Sequence, residues 1–388
     1  MKSVRFGVVG LGNMGSQHIQ YLSQGKIDGA VLGAYCDINP AKLEAARAAV
    51  GGQGEPFADY SRMLDSGLVD AVIIAVPHYL HPPMAIEAFS KGIHVLTEKP
   101  AGVYTKQVYE MNAAAEKSGL VFGIMYNQRT NPKYQKIRSM VQGGQLGDLK
   151  RVVWLITDWY RSQSYYNSGG WRATWGGEGG GVLINQCPHN LDLWQWITGM
   201  PVKMQAFLSF GKYHDIEVED DVTAYFEYAN GATGVFATTT GEYPGTNRLE
   251  ISGTMGKVVY EEGVITFYQN KMDEREFNRT FKGGFGGPEF TKEVIQVEGV
   301  ETAHPGITQN VTDAILKGTP LLAPGVEGVN GLNLSNAMHL SAFLGKEVEI
   351  PVDPERYYAE LQKRIQTSTY RKVVEEVQAD FEASRNRY

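Results

Sequence analysis

Glycines, acids and one lysine near the start of the chain stand at spacings that chemistry can use. Gly10-Leu11-Gly12-Asn13-Met14-Gly15 follows an apolar run, Val4 to Val9, and precedes a helical pattern. A G-x-G-x-x-G at a strand-to-helix turn is a cradle for a dinucleotide pyrophosphate. The first glycine permits the tight turn, the second lets the backbone approach the phosphates, and the third lets the helix pack on its strand. The helix N-terminus then offers unfilled N–H groups to the anion. Asp37 ends the next apolar run, Ala30 to Cys36. It lies about 20 residues beyond the glycines, where an acid holds a ribose hydroxyl. An acid there repels a 2′-phosphate, which favours NAD over NADP. Its other reading is an N-cap for the helix that Pro40-Ala41-Lys42 opens. Glu98-Lys99-Pro100 follows the strand His94–Leu96. The proline favours an extended Lys99 and holds it at the carboxyl edge of a sheet, where doubly wound folds bind ligands. The alternative is a solvated lysine on a turn.

A second group is aromatic and basic: Trp154, Trp159, Tyr160, Arg161, Tyr165, Tyr166, Trp171, Arg172 and Trp175. Rings and guanidinium donors suit the C–H faces and hydroxyl rims of sugars. The same residue types also fill sheet cores and subunit interfaces. Tyr160, Arg161, Tyr166, Trp171 and Arg172 are the members assigned to a ligand.

The elements that must position these groups change character along the chain. Up to about residue 125, apolar runs at Val4–Val9, Ala30–Cys36, Ala71–Val76, His94–Leu96 and Val121–Met125 alternate with helical patterns at Ser16–Gln24, Pro40–Val50, Pro82–Lys91 and Thr105–Lys117. That alternation predicts an α/β Rossmann domain, a doubly wound parallel sheet with helices on both faces. From Leu149 the strands lengthen and alternate: Leu149–Tyr160, Pro201–Phe210, Val222–Tyr228, Thr233–Thr240, Arg248–Ser252 and Lys257–Tyr260. Asn230-Gly231 between two of them is a hairpin signal. An α+β domain with a large, mostly antiparallel open sheet follows. Phe277–Phe290 is glycine-rich and reads as a loop, and a charged helix is expected from Pro354 to Ser384. The expected domains are 1–126, 127–352 and a helical tail, 353–388.

Composition narrows the field. The 388 residues carry a net charge of −7 and no basic block, so nucleic acid is not an expected partner. Two cysteines fit a reducing compartment. No apolar run approaches a membrane span, and a strand starting at Val4 leaves no room for a signal peptide. A cytoplasmic protein is the expectation. The eight histidines are scattered and the cysteines far apart, so no metal site is expected.

Taken in order, several motifs resemble the Gfo/Idh/MocA family of sugar and inositol oxidoreductases over about residues 4 to 350. They are the glycine motif, Glu98-Lys99-Pro100, Pro77-His78-Tyr79-Leu80-His81, Tyr126-Asn127-Gln128-Arg129, Trp171-Arg172-Ala173-Thr174-Trp175, and Gly179-Gly180-Gly181 leading to His189 and Asp192. The resemblance implies hydride transfer between a sugar-type carbinol and NAD. It implies that Lys99 hydrogen-bonds the reacting hydroxyl and that His189 takes its proton. It extends the cofactor set from the glycine motif and Asp37 to Ala75, Pro77, His78, His81, Glu98, Lys99 and Asn127.

Most relatives carry aspartate four residues before this histidine, whereas this chain has Asn185. A helix beginning near Gln186 would put Asn185 and His189 on one face. Asn185 can hydrogen-bond a substrate hydroxyl but cannot take a proton. Asp192, at i+3 from His189, would orient the imidazole or contact substrate, or be a helix-face charge with no task. Two rival activities use the same parts. One is redox-neutral glycoside cleavage through a 3-keto intermediate with retained NAD. The other is a non-catalytic NAD-binding regulator. The resemblance also implies a homodimer or homotetramer formed through the second domain's sheet.

Overall fold

The computed structural model describes residues 2–375. Its contacts divide the chain into two compact units. One is formed by the chain up to Asn131 together with Glu301–Leu332, and the other by Pro132–Val300 together with the chain from Asn333 onward.

In the first unit β1 (Val4–Val9), β2 (Ala30–Cys36), β3 (Glu55–Phe57), β4 (Ala71–Ile74), β5 (His94–Thr97) and β6 (Phe122–Ile124) form a parallel sheet of order β3-β2-β1-β4-β5-β6. The helices between them are α1 (Asn13–Ser23), α2 (Pro40–Ala49), α3 (Tyr60–Asp65), α4 (His81–Ser90) and α5 (Thr105–Ser118). Phe6, Val8 and all of β4 are fully buried, as strands covered on both faces should be. The strand order reverses direction between β1 and β4. Their carboxyl ends therefore open a crevice at the switch point.

The second unit is built on a nine-stranded sheet. Its strands are β7 (Leu149–Ile156), β8 (Lys203–Phe210), β9 (Glu219–Glu227), β10 (Thr233–Thr239), β11 (Asn247–Gly253), β12 (Gly256–Glu261), β13 (Val264–Asn270), β14 (Phe290–Ile295) and β15 (Val348–Glu349). The order is β14-β13-β12-β11-β7-β10-β9-β8-β15, and only β7 and β10 run parallel. The β9–β10 hairpin turns at Asn230-Gly231 as expected, with Gly231 at φ +83°. The helices of this half are α6 (Pro132–Gln142), α7 (Gln163–Asn167), α8 (Pro188–Thr198) and α9 (Glu274–Thr280). After them α10 (Ala303–Lys317) belongs to the first unit, α11 (Gly328–Leu344) begins in the first and continues in the second, and α12 (Pro354–Thr367) belongs to the second. Trp194 of α8 seats the helix on the sheet, its ring 5.2 Å from Phe226 and 5.9 Å from Phe236.

Four expectations are corrected. The final helix ends at Thr367, residues 368–375 have no regular structure, and the rest of the expected helix lies outside the described residues. The loop expected at Phe277–Phe290 begins inside α9, which Asp273 caps by accepting the Arg275 N–H. Residues 301–332, expected in the second domain, cluster with the first. There Arg129, 1% exposed, donates to Glu327 at 2.6 Å and to the Leu322 carbonyl at 3.0 Å. The helix expected near Gln186 starts at Pro188, which lacks an N–H and needs no partner at the first helical position. No helix among the described residues is long and apolar enough to cross a membrane.

A buried histidine–carboxylate hydrogen bond ties α11 to the start of β9. Glu219 accepts from His339 Nε2 at 2.8 Å, and both are 0% exposed. The other oxygen of Glu219 accepts the Gly181 and Leu183 N–H groups at 2.8 and 2.9 Å. Removing one partner of such a pair leaves a buried charge uncompensated. His339→Ala should therefore destabilise the protein by about 3 kcal/mol, read as a lowered urea midpoint. An unchanged midpoint would show that the two backbone donors suffice.

Candidate active site

The glycine loop behaves as a cradle in atomic detail. Gly10 has φ +86°, and a Cβ there would lie 2.5 Å from the Ala75 carbonyl. A Cβ on Gly15 would meet the Gly10 carbonyl at 1.9 Å, so both positions exclude any side chain. A Cβ on Gly12 would meet nothing within 4 Å, so that glycine faces open space where a ligand can approach. Leu11 is buried beneath the loop, and Asn13 and Met14 begin α1 with no side chain capping the helix. Its first-turn N–H groups therefore remain available to an anion.

Asp37 fixes this loop directly. It is 7% exposed and accepts the Leu11 N–H at 2.7 Å and the Asn39 N–H at 2.8 Å. Asn39, not Asp37, caps α2, accepting the Ala41 N–H at 2.9 Å. Lys42 Nζ lies 3.6 Å from the oxygen that Leu11 binds, and the other oxygen keeps a second lone pair for a ribose hydroxyl. Ile38 beside it is 90% exposed, an apolar surface next to the acid. Three residues beyond β6, Asn127 is 6% exposed, and its Oδ1 has no partner among the described residues. An unfilled acceptor of this kind suits a ligand donor. A dinucleotide therefore fits the residues present.

The loops after β4 and β5 are tied together. Ala75 donates its N–H to Val9 at 2.9 Å and leads into Pro77 and His78. His78 is buried beside His81. His81 bridges the two loops, with Nδ1 2.7 Å from the Pro100 carbonyl and Nε2 2.8 Å from that of Val76. Both ring nitrogens are thus committed inside the protein. His81 serves as a clamp between the two loops.

Glu98 turns inward beneath Lys99. Burial opposes its ionisation, but His18 Nε2 at 2.8 Å, with His304 and Lys99 adding positive charge, outweighs burial and lowers the carboxyl to about 2. His18 comes from α1 and His304 from α10, their rings 5.9 Å apart. No local pattern in the chain announces either partner. Lys99, joined to Pro100 by a cis bond, donates its own N–H to Glu98 at 3.2 Å.

In the second unit the assigned residues separate into two sets. Arg172 donates to the Tyr165 hydroxyl at 2.8 Å and lies over the Tyr165 and Trp171 rings at 4.6 and 4.5 Å. Arg161 lies over Tyr165 at 5.1 Å. Gln186 donates to the same hydroxyl at 3.0 Å. Asn185 stands three residues before α8 and donates to Glu178, a residue that sequence reasoning missed. Its flanking glycines were the available signal: Gly176-Gly177-Glu178-Gly179-Gly180-Gly181. His189 is half-buried in the first turn of α8.

The other set is engaged within the protein or exposed beside it. Tyr166, expected at a ligand, is 1% exposed, bonded to Thr240 at 2.7 Å and packed on His214. Burial pushes its hydroxyl pKa up. Asp192 is 1% exposed and accepts from Gln195 at 3.0 Å. Tyr160 is exposed and pairs edge-on with Tyr243.

Residues 4–126 match the profile described as an oxidoreductase family with an NAD-binding Rossmann fold. Residues 134–259 match the GFO/IDH/MocA C-terminal domain. The chain is 30% identical to an inositol 2-dehydrogenase of Corynebacterium glutamicum over 208 residues, 52% of this chain and 56% of that protein. It therefore spans little more than half of that curated relative. A levoglucosan dehydrogenase of Pseudarthrobacter phenanthrenivorans is 24% identical over 73% of this chain and 81% of its own length. The WlbA dehydrogenase of Chromobacterium violaceum, solved in complex with NADH and UDP-GlcNAcA, is 30% identical with a TM-score of 0.77, covering 91% of this chain and 97% of that one.

Glu98 makes acid stability sensitive to this site. Its folded pKa lies below its ordinary value, so its contribution is present above about 4.5 and drains as pH falls toward about 2. Glu98→Gln should flatten the acid limb of the stability curve over that window. Urea midpoints at pH 5 and pH 3 test this; equal losses in both proteins would place the acid sensitivity elsewhere.

Proposed function

The chain belongs to the Gfo/Idh/MocA family of oxidoreductases, and on that premise we propose that it oxidises a secondary hydroxyl of a sugar, cyclitol or glycoside to a ketone with NAD as acceptor. The observation that carries the reading is the convergence of three loops on the switch point of the parallel sheet. One is the glycine cradle after β1, the second the Ala75–His78 loop after β4, and the third the Glu98-Lys99 turn after β5. The first-turn N–H groups of α1 would hold the pyrophosphate, Asp37 the ribose and Asn127 a donor of the nicotinamide end. Bound there, NAD supplies the hydride acceptor.

The chain's own residues do the rest. Lys99 donates to the reacting hydroxyl oxygen and stabilises the alkoxide as it forms. Glu98, kept ionised by His18, holds the lysine's turn in place. His189 accepts the hydroxyl proton as general base. Arg161, Trp171, Arg172 and Asn185 bind the sugar's hydroxyls and apolar face. Asp37 is already buried as an anion-type acceptor, which favours NAD over a cofactor bearing a 2′-phosphate. This reading is supported by the names of the curated relatives, which act on inositol and levoglucosan.

Lys99→Met and His189→Ala should each bind NAD as the parent does and lose turnover by about 100-fold or more. The check is NADH formation over a panel of hexoses, inositols and methyl glycosides, with NAD affinity measured by calorimetry. Undiminished turnover in both variants would refute the roles. Aglycone release without net NADH would shift the reaction to redox-neutral cleavage.

Asp37→Ser should weaken NAD and narrow the preference for NAD over NADP. A preference left unchanged would remove Asp37 from cofactor choice.

A further inference from the structure

Glu178 is a buried carboxylate that the proposed reaction does not use. It is 1% exposed and stands among glycines. One oxygen accepts the Ala173 N–H at 2.6 Å. The other accepts from Asn185 Nδ2 and lies 4.0 Å from Arg172 Nη1. Ala173 has φ +59°, a conformation costly for a residue with a side chain, and the bond to Glu178 holds it there.

A carboxylate only accepts hydrogen bonds, whereas an amide has one donor end and one accepting end. Glu178 therefore decides which way Asn185 faces. The amide nitrogen turns toward Glu178, and Oδ1 is presented on the other side as an acceptor. The same charge steadies the Arg172 guanidinium, which rests on Tyr165 and Trp171. Nearby, Gln186 is 4% exposed, and its Oε1 has no partner among the described residues.

We propose that Glu178 is a positioning residue of the substrate site: it sets the donor–acceptor polarity that Asn185 offers to a substrate hydroxyl and places Arg172 beside it. This rests on the reading of Asn185 and Arg172 as substrate-binding residues. Because polarity is what Glu178 controls, exchanging acid and amide between the two positions is informative. In Glu178→Gln the new amide keeps its oxygen on Ala173 and turns its nitrogen toward Asn185. Asn185 must then flip, and the substrate meets a donor in place of an acceptor. In Asn185→Asp two carboxylates face each other. In the double variant the amide now at position 178 donates to the carboxylate now at position 185, which again presents an acceptor outward.

Burial raises the Glu178 pKa, while Arg172, the Ala173 N–H and Asn185 oppose that rise. Glu219 and Lys372 are the other charges facing it. In Asn185→Asp the like charge raises the shared proton's pKa further. The loss should therefore grow as pH rises.

The test is a double-mutant cycle on the full-length protein, with the fastest substrate of the panel above. Asn185→Asp should lower kcat/KM by about 100-fold at pH 8, and Glu178→Gln should raise KM by about 10-fold with a smaller change in kcat. The double variant should recover to within about 10-fold of the parent. Thermal midpoints of the four proteins at pH 6 and pH 8 give a second cycle that needs no substrate. There Asn185→Asp should be destabilised more at pH 8 and rescued by Glu178→Gln. Additive losses in both cycles, or an unchanged KM in Glu178→Gln, would overturn the proposal. If no substrate in the panel is turned over by the parent, the proposed function fails. The melting cycle then decides the pairing by itself, and its additivity would overturn it.

Discussion

Glycine-rich loops carry few side chains that could fix them, and in this protein buried carboxylates do that work. Asp37 accepts the Leu11 N–H inside the glycine cradle. Glu178 accepts the Ala173 N–H below the Trp171–Trp175 turn. Glu219 accepts the Gly181 and Leu183 N–H groups ahead of α8. Asp37 and Glu219 reach in from outside the bare stretch, Glu178 stands within one, and all three accept donors that would otherwise need water. Hydrogen bonds to an ionised acceptor are among the stronger ones available. They also set direction, because a carboxylate cannot accommodate a loop that turns its carbonyls inward.

Burying a charge is costly unless it is paired and hydrogen-bonded. The chain meets that condition with imidazoles. His18 serves Glu98, His339 serves Glu219, and His214 serves Asp220 at 3.0 Å. Among the described residues His81, between two carbonyls, and His94, which accepts the Val121 N–H, are also engaged within the fold. A histidine count taken from sequence therefore overstates the candidates for acid–base chemistry. Placement separates His189 from these: it sits in the first turn of a helix whose start Pro188 dictates.

Much of the frame was legible because it is written in local pattern. The runs at Val4–Val9 and Ala71–Ile74 are apolar on both faces, so a parallel sheet follows from them directly. The glycine motif and Asp37 lie within one strand–helix–strand unit, and their spacing is itself the signal. Other features were hidden for physical reasons. β3 is three residues including a proline, too short to show alternation. α11 is buried on nearly every side, with Leu334, Ala337, Met338 and His339 all at 0%, so it shows no amphipathic stripe. His18 and Glu98 are 80 residues apart, and nothing local marks either as the other's partner. The return of 301–332 to the first unit depends on Arg129 and Glu327, a long-range pair of the same kind.

The aromatic stretch shows why composition alone could not assign its members. Tyr165 and Tyr166 are neighbours in a single helical turn, α7, yet they face different tasks. Tyr166 is sealed against Thr240 and His214 and holds β10's end to the loop. Tyr165 is half-buried and gathers Arg161, Arg172 and Gln186 around its ring and hydroxyl. Adjacent residues on a helix point about 100° apart, so a dense aromatic run must divide between core and site. The division is decided by which side of the turn meets the sheet. Residue type gives the chemistry on offer, and only the turn's orientation selects which rings can reach a ligand. Glu178, unremarkable in composition, then determines how the polar members beside those rings are aimed.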